Sequence, residues 1–276
     1  MKNTALYHRL KASPIHDVYW RLTDRHWLDS RRREVEFYRN LLVGYRQGDL
    51  IFDVGANDGT KVDVFLRLGA RIIAIEPDET NQRTIRGKFL RYRLTPKPVL
   101  IVGKAVSEKN TVETMWVDGP GSAVNTMSQK WVRSLKDNKA KFAHTHYGLE
   151  FKQSKTVETV TLDHLILTYG VPFFLKIDVE GYEINVLRGL SSRVPFLSFE
   201  VNLPDFRPEG LDCLKVLREI ASEGTFNYSV DCANGLALDR WLSADEFSSV
   251  LADCCDGTIE VFWKSEARYV RGDQKA

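Results

Sequence analysis

From residue 50 onward the chain alternates between two textures, and no other feature restricts its possible folds as strongly. Short apolar runs rich in β-branched and aromatic residues, LIFDV (50–54), RIIAIE (71–76), PVLIV (98–102), PFFLKIDV (172–179) and PFLSFEV (195–201), are separated by helical spacing at about 60–69, 79–92, 181–189 and 209–223. The last helix is expected to open after Pro208, with Glu209 in its first turn. Parallel strands need long crossovers and helices supply them, so the pattern predicts βαβ units on a parallel sheet. Runs at 226–230 and 258–263 complete it.

The C-terminal ends of such strands are where an open α/β sheet binds ligands. The first run continues into Asp53-Val54-Gly55-Ala56-Asn57-Asp58-Gly59. Gly55 and Gly59 permit a tight turn and close backbone approach, and Asp53 and Asn57 add polar contacts. The spacing is G-x-x-x-G, without the third glycine of a pyrophosphate-binding loop, which favours a nucleoside cofactor lacking phosphates. The second run ends in Glu76-Pro77-Asp78, where a carboxylate can accept two hydrogen bonds from a ribose diol. The fourth carries Lys176, Asp178 and Glu180 into a helix that starts near Gly181. These are candidates for substrate positioning and proton handling, and the plainer alternative is an ion pair from Lys176 to Asp178 or Glu183 that ties strand to helix.

The chain divides into an N-terminal helical extension (1–49), a domain over 50–263 with an insertion at 104–171, and a polar tail at 264–276. The extension has one apolar stripe through Val18, Trp20, Leu22, Trp27, Val35, Phe37, Tyr38, Leu41 and Leu42. The insertion contains two alternating segments, 111–117 and 155–162, around a stretch from Lys130 to Lys155 with seven basic and two acidic residues, a local patch for a phosphate or carboxylate or simply a solvated face. Trp116 and Trp131 flank the turn 119–126 and are read first as core anchors. Net charge is +2, which offers no global field for nucleic acid, and no apolar run approaches the length of a membrane span. Four cysteines without C-x-x-C spacing suit reduced thiols, so a cytoplasmic chain is expected. Nothing here fixes an oligomeric state.

The ordered set LIFDVGANDG, AIEPDE, TLDHL, FFLKIDVEGYEINVLRGL and FLSFEV, spanning about residues 48–203, resembles the FkbM-type branch of class I S-adenosylmethionine-dependent methyltransferases. That resemblance implies an α/β Rossmann-like fold: a seven-stranded, mostly parallel sheet with helices on both faces and one antiparallel strand near the C-terminus. It implies S-adenosylmethionine as cofactor, with Asp53, Gly55 and Asn57 around its methionine part, Glu76 on the ribose and Ala105 and Val106 at the adenine edge. Asp178 would stand where methyl donor and acceptor meet, with Glu180 and Glu200 as alternate bases and His146 of the His144-Thr145-His146 run as another. Branch members are associated with hydroxyl methylation of sugars, polyketides and similar metabolites, so a small-molecule or glycan acceptor is expected. No metal is expected; a Mg²⁺ site at Asp178, Glu200 and Asn202 is the less favoured alternative. An N- or C-directed methyltransferase, a nicotinamide-dependent oxidoreductase and a catalytically silent binding module stand behind the first reading.

Overall fold

The computed structural model describes residues 25–89, 99–137 and 151–266. Val18, Trp20, Leu22, His144 and His146 lie outside them, as does the tail from residue 267 onward, and of Trp27 only the backbone is described. Among the described residues no helix is long and apolar enough to cross a membrane.

The chain enters through α1 (Arg25–Leu41) and then builds β1 (Leu50–Val54), α2 (Thr60–Arg67), β2 (Arg71–Ile75), α3 (Glu79–Lys88) and β3 (Val99–Val102). Next come β4 (Ala105–Val106), β5 (Val112–Val117), α4 (Gln129–Asp137), β6 (Gln153–Val160) and α5 (Leu162–Tyr169). The second half holds β7 (Phe174–Ile177), α6 (Glu183–Leu187), β8 (Phe196–Asn202), α7 (Arg207–Ile220), β9 (Thr225–Ser229), α8 (Ala244–Asp253) and β10 (Thr258–Lys264). Seven strands form one sheet in the order β3-β2-β1-β7-β8-β10-β9. The contacts from β3 through β8 are parallel, and β10 runs antiparallel to both neighbours. This is the α/β sheet expected from the resemblance, antiparallel strand included. The two alternating segments of the insertion pair with each other, β5 antiparallel to β6, and β4 joins β6 to make a second, three-stranded sheet.

The central strands β1 and β7 bury both faces, which is why they read as continuous apolar runs, whereas the edge strand β3 leaves Leu100 exposed. One face carries Phe52, Val54, Ile75, Leu175, Ile177 and Phe199 against α5 to α8. The other carries Ile51, Ile72, Phe174 and Phe262 against α1 and α2, where Tyr38 is fully buried with its ring edge-on to Phe65 and Phe262. Within the N-terminal stripe, Val35, Leu41 and Leu42 are buried on this face too. Helix boundaries shift by a few residues from the sequence expectation. α7 starts at Arg207 because Pro208 fits the first turn, and α6 is short because Gly181 (φ 83°) turns the chain before it.

Three strand tips are knitted at their C-terminal ends. Backbone N–H groups of Gly55 and Ala56 both donate to the Ile75 carbonyl at 3.0 and 3.1 Å, and Asp178 N–H donates to the Val54 carbonyl at 3.0 Å. A methyl group on Gly55 would lie 1.8 Å from the Asp178 carbonyl oxygen, and its φ of 80° is strained for any side chain. Gly55→Ala is therefore expected to lose about 3 kcal/mol or more of stability by urea unfolding, whereas Gly119→Ala, which meets nothing within 4 Å, stays within about 0.5 kcal/mol.

Candidate active site

A cleft lies over the tips of β1, β2 and β7, with about 570 Å³ of space free of protein atoms, its open mouth included. Gly55, Asn57, Glu76, Pro77, Ala105 and Val106 all line it. Glu76 is only 5% exposed. Its Oε2 accepts the Asn57 N–H at 2.8 Å and its Oε1 the Asp78 N–H at 2.7 Å, so the second strand's carboxylate also braces the first strand's turn. Burial pushes the Glu76 carboxyl up to about 8 despite those two bonds. Two of the sequence candidates stand elsewhere. Gly59 begins α2 behind the cleft, packed on Phe89 and Ile85. Asp53 points to the face of the sheet that α1 and α2 cover, 1% exposed, and neither of its carboxylate oxygens has a hydrogen-bond partner among the described residues. Burial raises its carboxyl to about 6.

Asp53 is level with Lys176 across β1 and β7, so strand alternation puts both side chains on that same covered face. Lys176 donates from Nζ to Asp178 Oδ2 at 2.7 Å. Burial alone would depress the Lys176 ammonium, but Asp178, Glu260 and Asp53 outweigh it and raise it above its ordinary value. Of the two partners the sequence offers, Asp178 is the one taken. Glu183 instead accepts the backbone N–H groups of Val179 and Gly181 at 3.1 and 3.2 Å, shaping the turn out of β7. In that turn Glu180 adopts φ 56°, which brings its carboxylate beside Asp178 and Glu200; oxygens of the three lie within 4.8 Å of one another. Burial, then repulsion within the group, raises both Glu180 and Glu200 well above the usual carboxylate range. Asn202 is turned away from a ligating role: its Nδ2 donates to Glu200 Oε2 at 3.0 Å and its Oδ1 accepts from Thr258 Oγ1 at 2.8 Å. Three carboxylate oxygens at this spacing suit either a shared proton or a divalent cation.

The insertion closes the remaining side. Met115, Ser122, Asn125, Thr126 and Met127 line the same cleft as Glu76, so this segment borders the expected nucleoside position. Its turn is fastened to two strand tips: Asn125 Nδ2 reaches Asp78 Oδ2 at 3.5 Å and Thr126 Oγ1 donates to the Glu180 carbonyl at 2.8 Å. Tyr182, also in the lining, donates to Glu113 Oε2 at 2.7 Å. Met115, Thr126, Met127 and Tyr182 went unnoticed in the sequence as cleft residues; only Tyr182, beside the K-I-D-V-E-G segment, had a local signal. Trp131 is a core residue, 5.5 Å from the Phe206 ring, and Trp116 packs partly buried against the same core. Within the basic stretch, Lys130 pairs with Glu209 and Lys155 with Asp78.

A family model described as Methyltransferase FkbM domain matches residues 53–224. Among solved structures, similarity extends to a precorrin-6y C5,15-methyltransferase from Geobacter metallireducens GS-15 (8% identity, TM-score 0.41, covering 86% of each chain). It also extends to an SAM-dependent methyltransferase from Agrobacterium tumefaciens (9% identity, TM-score 0.40, 86% of this chain and 62% of that one). A third is the plantazolicin methyltransferase BpumL in complex with SAH (10% identity, TM-score 0.38, 94% of this chain and 95% of that one). At such TM-scores they add nothing to the sheet order described above. No curated protein matches the chain.

The buried acids fix a pH response. Asp53 (about 6), Glu183 (about 7), Glu76 (about 8), Glu180 and Glu200 all hold a proton more tightly folded than unfolded. Each therefore subtracts stability as pH rises from the unfolded carboxylate range through its folded value. Acids held low, such as Glu246 at about 2, lose their contribution only below that window. Lys61 and Lys176, raised above the ordinary lysine value, matter only far above it. The thermal midpoint is expected to fall by about 5 °C or more from about pH 5.5 to about pH 8; a flat or rising profile in scanning calorimetry would remove the raised values.

Proposed function

The chain belongs to the FkbM methyltransferase family, and from that premise we propose that it moves a methyl group from S-adenosylmethionine to a hydroxyl of a small molecule, sugar or glycan. The observation that carries the reading is a single cleft lined by the buried Glu76 carboxylate at the tip of β2 and, across β1, by Asp178 and Glu180 beyond β7. The residues present fit the cofactor. Among the described residues the Glu76 oxygens accept only backbone N–H groups, which leaves lone pairs that a ribose diol can fill with two O–H donors. Ala105, Val106 and Met115 offer an apolar wall for a base, and Gly55 and Asn57 would lie along the methionine part. Asp53, buried beneath them, would act through Lys176 rather than by touch.

When bound, the cofactor supplies a methyl group on a positively charged sulfur. The acceptor oxygen forms the new C–O bond as the C–S bond breaks, that bond's electron pair stays on sulfur, and the hydroxyl proton passes to a carboxylate. Asp178 is that base in this reading, because its carboxylate reaches the cleft and is held there by the Lys176 ammonium at 2.7 Å. Glu180 and Glu200, raised above the usual carboxylate range by burial, stand beside Asp178 where they can orient the acceptor oxygen. Alignment within about 3 to 3.5 Å supplies much of the acceleration, and the base a further ~10²- to 10⁴-fold. A second reading, cation-assisted transfer, is favoured by the spacing of the three carboxylates.

Two substitutions test these roles. Glu76→Ala is expected to weaken S-adenosylhomocysteine binding by about 1.5 to 3 kcal/mol, roughly ten- to a hundredfold, in isothermal titration; an unchanged Kd takes Glu76 out of the cofactor site. Asp178→Asn is expected to lower turnover about 10²- to 10⁴-fold with little change in that Kd. Chelator leaves the wild type unaffected if Asp178 works without metal, and silences it reversibly if the cluster holds a cation.

A further inference from the structure

Lys176 has two carboxylates within its reach and takes one of them. Asp53 stands level with it on β1, as Ser198 does on β8, and neighbouring strands lie only about 4.8 Å apart. Asp178 stands one pleat further along β7, toward the cleft, where it accepts from Lys176 Nζ at 2.7 Å. Both oxygens of Asp53, a residue 1% exposed, are left without a hydrogen-bond partner among the described residues. A buried carboxylate is costly to leave unpaired and an ammonium has donors to spare, so some other charge must outweigh the attraction of Asp53.

Glu260 supplies it. Antiparallel pairing sets Glu260 opposite Glu200 and Phe262 opposite Ser198, so Glu260 lies one pleat beyond the row of Asp53, Lys176 and Ser198, on the same cleftward side as Asp178. Donors from three elements fix its carboxylate: Ser198 Oγ of β8 at 2.7 Å, Cys232 Sγ of the turn after β9 at 3.2 Å and Tyr38 Oη of α1 at 3.3 Å. Burial would raise the Glu260 carboxyl, but Lys61 and Lys176 bring it below its ordinary value, so it is an anion at neutral pH. Burial likewise opposes the Lys176 charge; of the acids that restore it Asp178 acts most strongly, then Glu260, then Asp53. Tyr38, Cys232 and Glu260 all lie outside residues 53–224, the segment that the family model matches.

Resting on the methyl-transfer reading above, we infer that Glu260 is a positioning residue for the reaction: its fixed negative charge draws the Lys176 ammonium toward the cleft, onto Asp178 and away from Asp53. Lys176 is thus a two-position group, on Asp178 while Glu260 is charged and held, and on Asp53 once that charge is lost. Glu260 does not line the cofactor cleft, and it acts on the base through Lys176.

The experiment uses the full chain, crystallised with S-adenosylhomocysteine, and a transfer assay with S-adenosylmethionine tritiated in its methyl group on a deproteinised aqueous extract of cells that express the protein. Glu260→Gln keeps the size of the side chain and an acceptor for Ser198. Its crystals are expected to show Lys176 Nζ within hydrogen-bond distance of Asp53, whereas in wild type it stays on Asp178. Turnover is expected to fall about tenfold or more, with the S-adenosylhomocysteine Kd within about twofold of wild type. Adding Asp53→Asn to Glu260→Gln removes the charge of the second resting place and is expected to recover most of that loss, which a merely weakened fold would not. Where Glu260→Gln does not fold, Ser198→Ala keeps every charge and only frees the carboxylate; turnover is then expected to fall about threefold or more, again recovered by Asp53→Asn. Nζ still on Asp178 in Glu260→Gln, unchanged turnover in the folded variant, or a double variant no faster than the single one overturns the inference alone. Wild type that binds S-adenosylhomocysteine yet transfers no label overturns the methyl-transfer reading and the role of Glu260 in it, while the place of Lys176 in the crystals shows whether Glu260 steers the ammonium.

Discussion

Lys176 sits on the central strand of the seven-stranded sheet with 2% of its surface exposed, and a buried ammonium is tolerated only where carboxylates surround it. Three strands answer that requirement. Asp53 comes level with it from β1, Asp178 follows it on β7, and Glu260 faces it from β10. The acids that would be costly alone in this interior are tolerated because the cation is there, and the cation because of them. Asp178, 33% exposed at its side chain, is the member of the set that reaches the cleft, so the charge balance of the interior is felt at the place where a proton would be moved.

Much of this was legible in the chain. The glycine loop after β1 and the acid after β2 carry their signal locally, because a turn that brings Gly55 against the Asp178 carbonyl can be made only by glycine, and because a strand end leaves its last acid beside the neighbouring turn. The alternating pattern that marked 111–117 and 155–162 as strands was sound for the same reason: each half-buries one face.

The unread parts depend on register and direction, which one sequence does not encode locally. Asp53 looks like a loop ligand until its pairing with Lys176 turns it to the covered face of the sheet. Asp178 and Glu183 were equal partners for Lys176 on spacing alone, and the turn at Glu180 and Gly181 decided between them. Glu260 gave no signal at all, since a residue near the start of a strand reaches the ligand-binding edge only if that strand runs backwards.

That reversal has a practical side. Every parallel strand delivers its end to the cleft edge, but β10 begins there, with Thr258 beside Asn202, and finishes at Lys264 beside Phe196, on the opposite rim of the sheet. A reporter, affinity handle or partner domain fused after β10 starts its path from the rim farthest from the methyl-transfer chemistry. An addition placed directly ahead of α1 starts instead on the face of the sheet that α1 covers.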